Sequence, residues 1–120
     1  GAALDPGELV RLDLPHAVAS EGRLDTGVVY VDSFGNLRLD GTPADLGRAI
    51  PELAPGAALV VELPTEDARA TFARTFGEVA AGALLVYQDS AGDLALGESS
   101  GDAARRLGLG VGARIGLRRA

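Results

Sequence analysis

Residues 28–36 of this chain read VVYVDSFGN, and residues 84–92 read LLVYQDSAG. In both stretches an apolar run ends in an aspartate, a serine and a nearby glycine, which is typical of a strand that enters a tight turn. After the first turn the chain continues with Leu37, Arg38 and Leu39, whose apolar residues recur with period two. The first stretch therefore predicts a β-hairpin, and the second predicts a turn followed by a return strand at residues 93–96.

Turn residues divide the rest of the chain into further short segments. Strands are predicted at residues 9–14, 24–31, 57–63, 83–88 and 113–117. Residues 68–76 are ambiguous, because Ala68, Phe72 and Phe76 lie four apart, as on a helix, while the two phenylalanines also share one face of a strand. The threonines in this segment favour extended structure, so we interpret it as a strand.

Two short helices are predicted between these strands. The first begins at Thr42-Pro43, with threonine as the N-cap and proline in the first turn. The second runs from Asp102 to Leu107, with Ser99 or Ser100 as its cap and Gly108 as its end. Many short strands separated by regular turns are typical of a barrel or a sandwich. The predicted fold is therefore all-β: a small β-barrel of short, mostly antiparallel strands with two short helices.

Composition excludes several classes of function for this chain of 120 residues. It has no cysteine, which rules out disulfides and thiolate metal sites and fits a cytoplasmic protein. Its formal net charge of -6 disfavours binding to a nucleic-acid backbone. It has no apolar run of about 20 residues, so no membrane association is expected. It begins with Gly1 instead of methionine, which we interpret as a piece of a longer protein.

The polar turns combine groups that suit one kind of ligand. Aspartates supply hydrogen-bond acceptors, serines supply donors, and Phe34 supplies a flat apolar face. Together they suit a zwitterionic, nucleoside-like ligand better than a metal ion or a polymer. Structural roles compete with this interpretation: Asp32 can cap its own turn, Phe34 can pack in the core, and Asn36 can occupy a left-handed turn position.

Four pieces of the chain, in the same order and with compatible spacing, resemble the C-terminal domain of the S-adenosyl-L-methionine (SAM) hydroxide adenosyltransferases, relatives of the fluorinating and chlorinating enzymes. They read YVDSFGNL at 30–37, RTFGEV at 74–79, DSAGDLAL at 89–96 and GDAARRLGL at 101–109. The resemblance implies that residues 1–8 are the remnant of an interdomain connector and that residues 9–120 form the C-terminal barrel domain.

The resemblance also implies binding roles for particular residues. Asp32 corresponds to the aspartate that contacts the methionine ammonium, and Phe34 to the ring that stacks on adenine. Asn36 corresponds to the amide that reads the polar edge of adenine, and Ser90 to the serine that binds the methionine carboxylate.

Two further residues are less specific matches. Phe76 is a candidate second wall of the adenine slot, with core packing as the alternative. Ser100 is a candidate adenine contact, with helix capping as the alternative. No residue of this chain is predicted to be catalytic or to ligate a metal, and no cofactor is expected beyond SAM as substrate.

In the family, the active site lies between the N-terminal catalytic domain of one subunit and the C-terminal domain of its neighbour in a trimer. The resemblance implies a parent enzyme that hydrolyses SAM to adenosine and L-methionine, and a fragment that is inactive by itself. Ala91 stands where the halogenating relatives carry an arginine, which favours hydrolysis. Glu98-Ser99-Ser100 departs from the family's Asn and Gly, which puts adenine recognition there in question. The alternative function is a non-catalytic barrel that binds adenosyl or other small ligands, or that mediates oligomerisation.

Overall fold

The computed structural model describes residues 14–120. This part of the chain contains eight strands, two α-helices and one short 3₁₀ helix. The strands are β1 (Val18–Ser20), β2 (Arg23–Val31), β3 (Leu37–Leu39), β4 (Ala58–Glu62), β5 (Asp67–Phe72), β6 (Leu84–Gln88), β7 (Leu94–Glu98) and β8 (Arg114–Arg119). The helices are α1 (Pro43–Ala49), α2 (Ala103–Leu107) and the 3₁₀ helix Phe76–Glu78.

Seven of the strands close into a barrel in the order β2-β3-β7-β6-β5-β4-β8. The barrel closes because β8 pairs with β2, for example Leu117 with Leu24, as well as with β4. The remaining strand, β1, pairs with the first residues of β2. The pairings are antiparallel except that β5 and β6 run parallel, with Thr71 opposite Leu85. The predicted fold class, an all-β barrel with two short helices, is confirmed.

Leucine and valine fill the core. The largest fully buried side chains all belong to these two residue types, among them Leu24, Leu59 and Leu96. This agrees with the low aromatic content of 4 %. Because the closed barrel leaves few unpaired strand edges, the paired strands hold the hairpin loops at its ends in fixed positions.

Helix α1 begins as its sequence predicts. The Thr42 hydroxyl accepts a hydrogen bond from the Asp45 amide, and the Asp45 carboxylate accepts one from the Thr42 amide over 2.8 Å. This reciprocal capping box satisfies donors that the first turn of a helix leaves free. Pro43 occupies the first helical position, where the missing N–H costs nothing.

The prediction that Ser99 or Ser100 caps α2 is wrong. Asp102 is the N-cap, and its carboxylate accepts a hydrogen bond from the Arg105 amide over 2.9 Å. Ser99 instead donates its amide to the carbonyl of Ala83 over 2.9 Å and so continues the β6–β7 ladder beyond the strand. The predicted end of the helix is confirmed, since Gly108 is left-handed with φ of 66°.

The ambiguous segment is a strand only in its first part, β5. Phe76 does not lie on this strand but begins the 3₁₀ helix, so Phe72 and Phe76 do not share a strand face. The chain turns at this point because Glu78 accepts a hydrogen bond from the Arg74 amide over 2.6 Å and pairs with its guanidinium. The turn takes Phe76 away from the strand and towards Tyr87 on β6.

Two predictions fall at the beginning of the chain. The connector at residues 1–8 and the strand at residues 9–14, apart from Leu14, lie outside the described residues. Among residues 14–120, no helix has both the length and the apolar character needed to cross a lipid bilayer.

Candidate functional site

The loop between β2 and β3 is organised by Asp32. Its Oδ1 accepts hydrogen bonds from the amides of Phe34 and Asn36, over 2.8 and 2.9 Å. The Asp32 amide donates to the Asn36 carbonyl over 3.0 Å, and Gly35 takes the left-handed conformation with φ of 82°. This is the geometry of a three-residue hairpin loop with glycine at the left-handed position. Asp32 therefore forms the Asx turn that its sequence context allows.

The loop between β6 and β7 repeats this geometry around Asp89. Its Oδ1 accepts hydrogen bonds from the amides of Ala91 and Asp93, each over 3.0 Å. Gly92 is left-handed with φ of 91°. The two predicted turns thus share a hydrogen-bond pattern as well as a sequence pattern.

The two loops lie at the same end of the barrel because β3 pairs with β7. Arg38 on β3 lies opposite Ala95 on β7, and its Nε donates to Asp89 Oδ2 over 2.9 Å. Arg38 also lies over the ring of Tyr30, with 5.3 Å from its Cζ to the ring centroid. Between the loops is a small cavity of about 100 Å³. It is lined by Tyr30, Asp32, Asn36, Arg38, Tyr87, Asp89, Ser90 and Ala95.

Both aspartates of the small cavity are held in their charged form. Burial raises the pKa of Asp32, but hydrogen bonds from the amide and side chain of Asn36 and from the Phe34 amide outweigh it, so the pKa is below its ordinary value. Burial likewise raises the pKa of Asp89, and hydrogen bonds from the Asp93 amide and from Arg38 outweigh it there. The cavity therefore has two carboxylates, one of them paired with Arg38.

The pKa of Tyr87 is shifted in the opposite direction, above its ordinary value. Burial raises the pKa of its hydroxyl to about 12, and the charges of Asp32 and Asp89 add to the effect. The Tyr87 side chain is therefore neutral at physiological pH, and its O–H is available as a donor beside the two carboxylates.

A second, larger cavity adjoins the first. It has a volume of about 690 Å³, within the range of about 300–1,000 Å³ that is usual for small-molecule sites. It is lined by Phe34, Asn36, Phe76, Gly77, Glu98, Ser99, Ser100 and Gly101. Phe34 is 77 % exposed at its mouth, so its ring is free to stack on a ligand. Phe76 is partly buried and packs against Tyr87 with 5.0 Å between ring centroids.

Asn36 belongs to the walls of both cavities. Its Nδ2 donates to Asp32 Oδ2 over 3.0 Å. Its Oδ1 lies beside Gly97, where an added Cβ would approach it to 2.8 Å and would also lie 3.1 Å from the Phe76 ring. The bare backbone of Gly97 therefore makes room for the amide and the ring, and the amide presents its oxygen away from Asp32.

Helix α2 contacts the β2–β3 loop, which contributes Phe34 and Asn36 to the lining of the larger cavity. The Ala104 amide donates to the Gly35 carbonyl over 2.9 Å, and a side chain on Gly35 would overlap the Asp102 carboxylate. The segment that leads into α2 contains Ser99, which is buried, and Ser100, which is exposed and left-handed with φ of 60°. The β2–β3 loop and the residues before α2 are thus held against each other.

The structure brings the six predicted site residues together around these two cavities. Asp32 and Ser90 line the small cavity, and Asn36 lines both. The larger cavity contains the other three, Phe34, Phe76 and Ser100. Ligand binding by these residues stays a prediction.

Sequence reasoning missed Arg38 and Gly97, and it did not assign a role to Tyr87. Arg38 had one sequence signal, a charge between the buried Leu37 and Leu39 on a strand, which places it on the outer face.

Comparison with known proteins gives a consistent result. The sequence model of one family, the SAM hydroxide adenosyltransferase C-terminal domain, matches residues 26–116. A protein of Salinispora tropica named (R)-S-adenosyl-L-methionine hydrolase is 35 % identical over 115 residues, which cover 96 % of this chain and 40 % of that protein. A protein of the same name from Salinispora arenicola is 36 % identical, with the same coverage. The chain therefore spans 40 % of the length of these curated relatives.

Solved structures share the fold. A crystal structure of an uncharacterised conserved protein from Thermotoga maritima superimposes with a TM-score of 0.82 at 27 % identity, covering 88 % of this chain and 40 % of that one. A conserved hypothetical protein from Thermus thermophilus superimposes with a TM-score of 0.57 at 30 % identity, covering 89 % of this chain and 38 % of that one.

Proposed function

This chain belongs to the SAM hydroxide adenosyltransferase family, as a C-terminal domain, and we propose that it is the substrate-binding part of an enzyme that hydrolyses SAM to adenosine and L-methionine. The observation that supports this most directly is the meeting of two cavities at Asn36, a larger one with aromatic side chains and a smaller one with carboxylates and hydroxyls. SAM has the same division into a flat base and a zwitterionic amino acid. The names of the Salinispora relatives support the same reaction.

The larger cavity is proposed to hold the adenosyl group. Phe34 stacks on one face of adenine, and Phe76 forms a second wall. The Asn36 amide and the backbone near Ser100 then meet the polar edge of the base. A stacked base of this kind is worth about 1–3 kcal/mol when the ring is truncated to alanine in other proteins.

The small cavity is proposed to hold the amino-acid end. Its carboxylates attract the ammonium, with Asp32 as the direct partner because Asp89 is already paired with Arg38. Ser90 and the neutral hydroxyl of Tyr87 donate to the methionine carboxylate. The sulfonium then lies between the two cavities, close to Asn36.

In the proposed reaction a water oxygen forms a bond to C5′ of the ribose while the C5′–S bond breaks. The sulfur keeps the electron pair and becomes the thioether of methionine, and the water loses one proton to solvent. The sulfonium is a good leaving group, so binding and orientation supply most of what the enzyme must contribute. The water-positioning groups are proposed to come from the N-terminal catalytic domain of a neighbouring subunit in a cytoplasmic homotrimer, so the fragment alone is inactive.

The test is adenosine release from SAM by the full-length protein that contains this chain. We expect release by the wild type and a loss of about tenfold or more in kcat/KM for Phe34→Ala and for Asp32→Ala. Val18→Ala is the matched control, since it trims an exposed apolar side chain on β1, outside both cavities. A wild type that releases no adenosine, or binding variants as active as the control, would contradict the proposal. Formation of 5′-chloro-5′-deoxyadenosine instead of adenosine in the presence of chloride would indicate halogenation.

A further inference from the structure

Glu98, the last residue of β7, is a fixed carboxylate in the wall of the larger cavity. Its Oε1 accepts a hydrogen bond from Arg106 Nη1 over 2.8 Å, and the same nitrogen donates to the Gly82 carbonyl over 2.7 Å. The Glu98 side chain is only 15 % exposed. Arg106 is therefore anchored at two points and holds the carboxylate in one orientation.

The second oxygen of this carboxylate accepts no hydrogen bond within the part of the chain that the structure describes. Glu98 Oε2 lies over Gly101, at a place that a Cβ on Gly101 would occupy. No donor among residues 14–120 reaches Oε2. Every buried side-chain oxygen in this part of the chain has a hydrogen-bond partner, so Oε2, which has none, is not buried. Oε2 is therefore accessible, and because Gly101 also lines the cavity, it is an acceptor that a ligand in the cavity can reach.

Asn36 supplies another acceptor in the same cavity. Its Nδ2 is used by Asp32, and its Oδ1 is presented beside Gly97, the residue before Glu98. Two acceptors and a carboxylate charge favour a ligand edge that carries hydrogen-bond donors. The 6-amino group of adenine has two N–H donors, one for each acceptor, whereas a 6-oxo purine has an acceptor oxygen at the same position and a single N–H donor on the adjacent N1.

We propose that Glu98 is a specificity-determining residue, which selects 6-amino purine nucleosides over 6-oxo purine nucleosides through Oε2. This inference rests on the proposed function, because it concerns the base in the same cavity. It makes a directional prediction for Glu98→Gln. Arg106 keeps the side-chain oxygen as its acceptor, so the new NH₂ group replaces Oε2 and offers a donor where the wild type offers an acceptor.

The experiment is a calorimetric titration of the full-length protein that contains this chain with adenosine and, separately, with inosine. For the wild type we expect adenosine to bind at least about tenfold more tightly than inosine. For Glu98→Gln we expect the ratio to fall to about one or to reverse. Glu66→Gln is the control, because it removes the same charge from an exposed turn between β4 and β5 and leaves the ratio unchanged.

Two results would overturn the inference alone: wild-type affinities for the two nucleosides that agree within about twofold, or a Glu98→Gln ratio equal to the wild-type ratio. If Glu98→Gln does not fold, Glu98→Ala tests the same point, because loss of the acceptor brings the ratio to about one. Failure of the proposed function has a different signature: the full-length wild type releases no adenosine from SAM and binds neither nucleoside, which overturns both.

Discussion

The side-chain amide of Asn36 donates to Asp32 Oδ2 over 3.0 Å, and this hydrogen bond determines which end of the amide faces the larger cavity. Asp32 thus has two roles in the loop, since its other oxygen accepts from the Phe34 and Asn36 amides. Loop geometry and the polarity of the candidate adenine site are therefore coupled through one carboxylate.

Asp32→Asn tests this coupling through stability. The folded-state pKa of Asp32 is lowered, so its contribution to stability is present above the unfolded-state value of about 3.9 and is lost as the pH falls through the folded-state pKa. We expect the variant to be about 1 kcal/mol less stable than the wild type at neutral pH. The difference should shrink below about pH 4.

Urea unfolding at neutral and at acid pH measures this difference. Asp67→Asn is the control, because Asp67 is exposed and forms only a surface ion pair with Arg118 at 3.5 Å. A gap between wild type and Asp32→Asn that stays constant with pH would argue against the charged hydrogen bonds as its source.

The fold could be predicted where neighbouring residues decide it. The β2–β3 hairpin follows from an apolar run and the left-handed Gly35, and α1 follows from Thr42-Pro43. Closure of the barrel depends on β2–β8 pairing, such as Leu24 with Leu117, between residues far apart in the chain, which no local pattern reports. The N-cap of α2 was predicted wrongly for a related reason. The amide of Ser99 donates to the carbonyl of Ala83, a residue distant in the sequence, and this hydrogen bond keeps Ser99 in the β6–β7 ladder instead of at the start of the helix.

The candidate site also contains some residues that local sequence predicts and others that depend on contacts between distant parts of the chain. Asp32, Phe34 and Ser90 were predicted because a turn with polar and aromatic residues is visible locally. Gly97 and Glu98 depend on what lies across the cavity, namely the Asn36 amide and Arg106. A sequence shows that a glycine is present, but it does not show which neighbouring side chain occupies the space that a Cβ would fill.

Phe34→Ala separates ligand stacking from core packing. Because the ring is 77 % exposed, its removal should change the free energy of unfolding by no more than about 0.5 kcal/mol. Adenosine affinity should fall about tenfold, as expected for the loss of a stacked ring. Thermal unfolding and titration calorimetry on the same sample measure both quantities. A large loss of stability without a change in affinity would instead support the core-packing interpretation.

Gly35→Ala tests the contact between the β2–β3 loop and α2. Gly35 and Gly22 have nearly the same left-handed φ, 82° and 81°, so alanine costs each of them about 1 kcal/mol of backbone strain. Only Gly35 has a neighbour, the Asp102 carboxylate, where a Cβ would lie. Gly35→Ala should therefore be at least about 1 kcal/mol more destabilising than Gly22→Ala in urea unfolding, since it also disturbs the cap of α2. Equal losses would mean that the loop and the helix are not packed as described.

Gly97→Ala should displace Asn36 or Phe76, two side chains that line the larger cavity. The new Cβ would lie 2.8 Å from Asn36 Oδ1 and 3.1 Å from the Phe76 ring, so one of them must move. We expect adenosine affinity to fall by about tenfold or more. Gly47→Ala is the matched control: a Cβ there meets nothing within 4 Å, and alanine within α1 should stabilise the fold by about 0.5–1 kcal/mol without affecting the ligand. Unchanged affinity in Gly97→Ala would show that the base does not depend on the positions of Asn36 and Phe76.

Tyr87 offers a direct measurement of the electrostatics of the small cavity. The chain has two tyrosines, so Tyr30→Phe leaves Tyr87 as the only one that titrates. Absorbance of the tyrosinate should then rise with a midpoint at about 12 instead of 10.0, because burial and the charges of Asp32 and Asp89 disfavour ionisation. Adding Asp32→Asn should lower the midpoint by removing one of those charges. Circular dichroism on the same samples reports whether the barrel is still folded.

Since the raised pKa favours the folded state only while Tyr87 stays protonated, this stabilisation is complete below pH 10 and disappears as the pH rises to about 12. A midpoint near 10 in the folded barrel would place Tyr87 in contact with solvent and away from the two carboxylates.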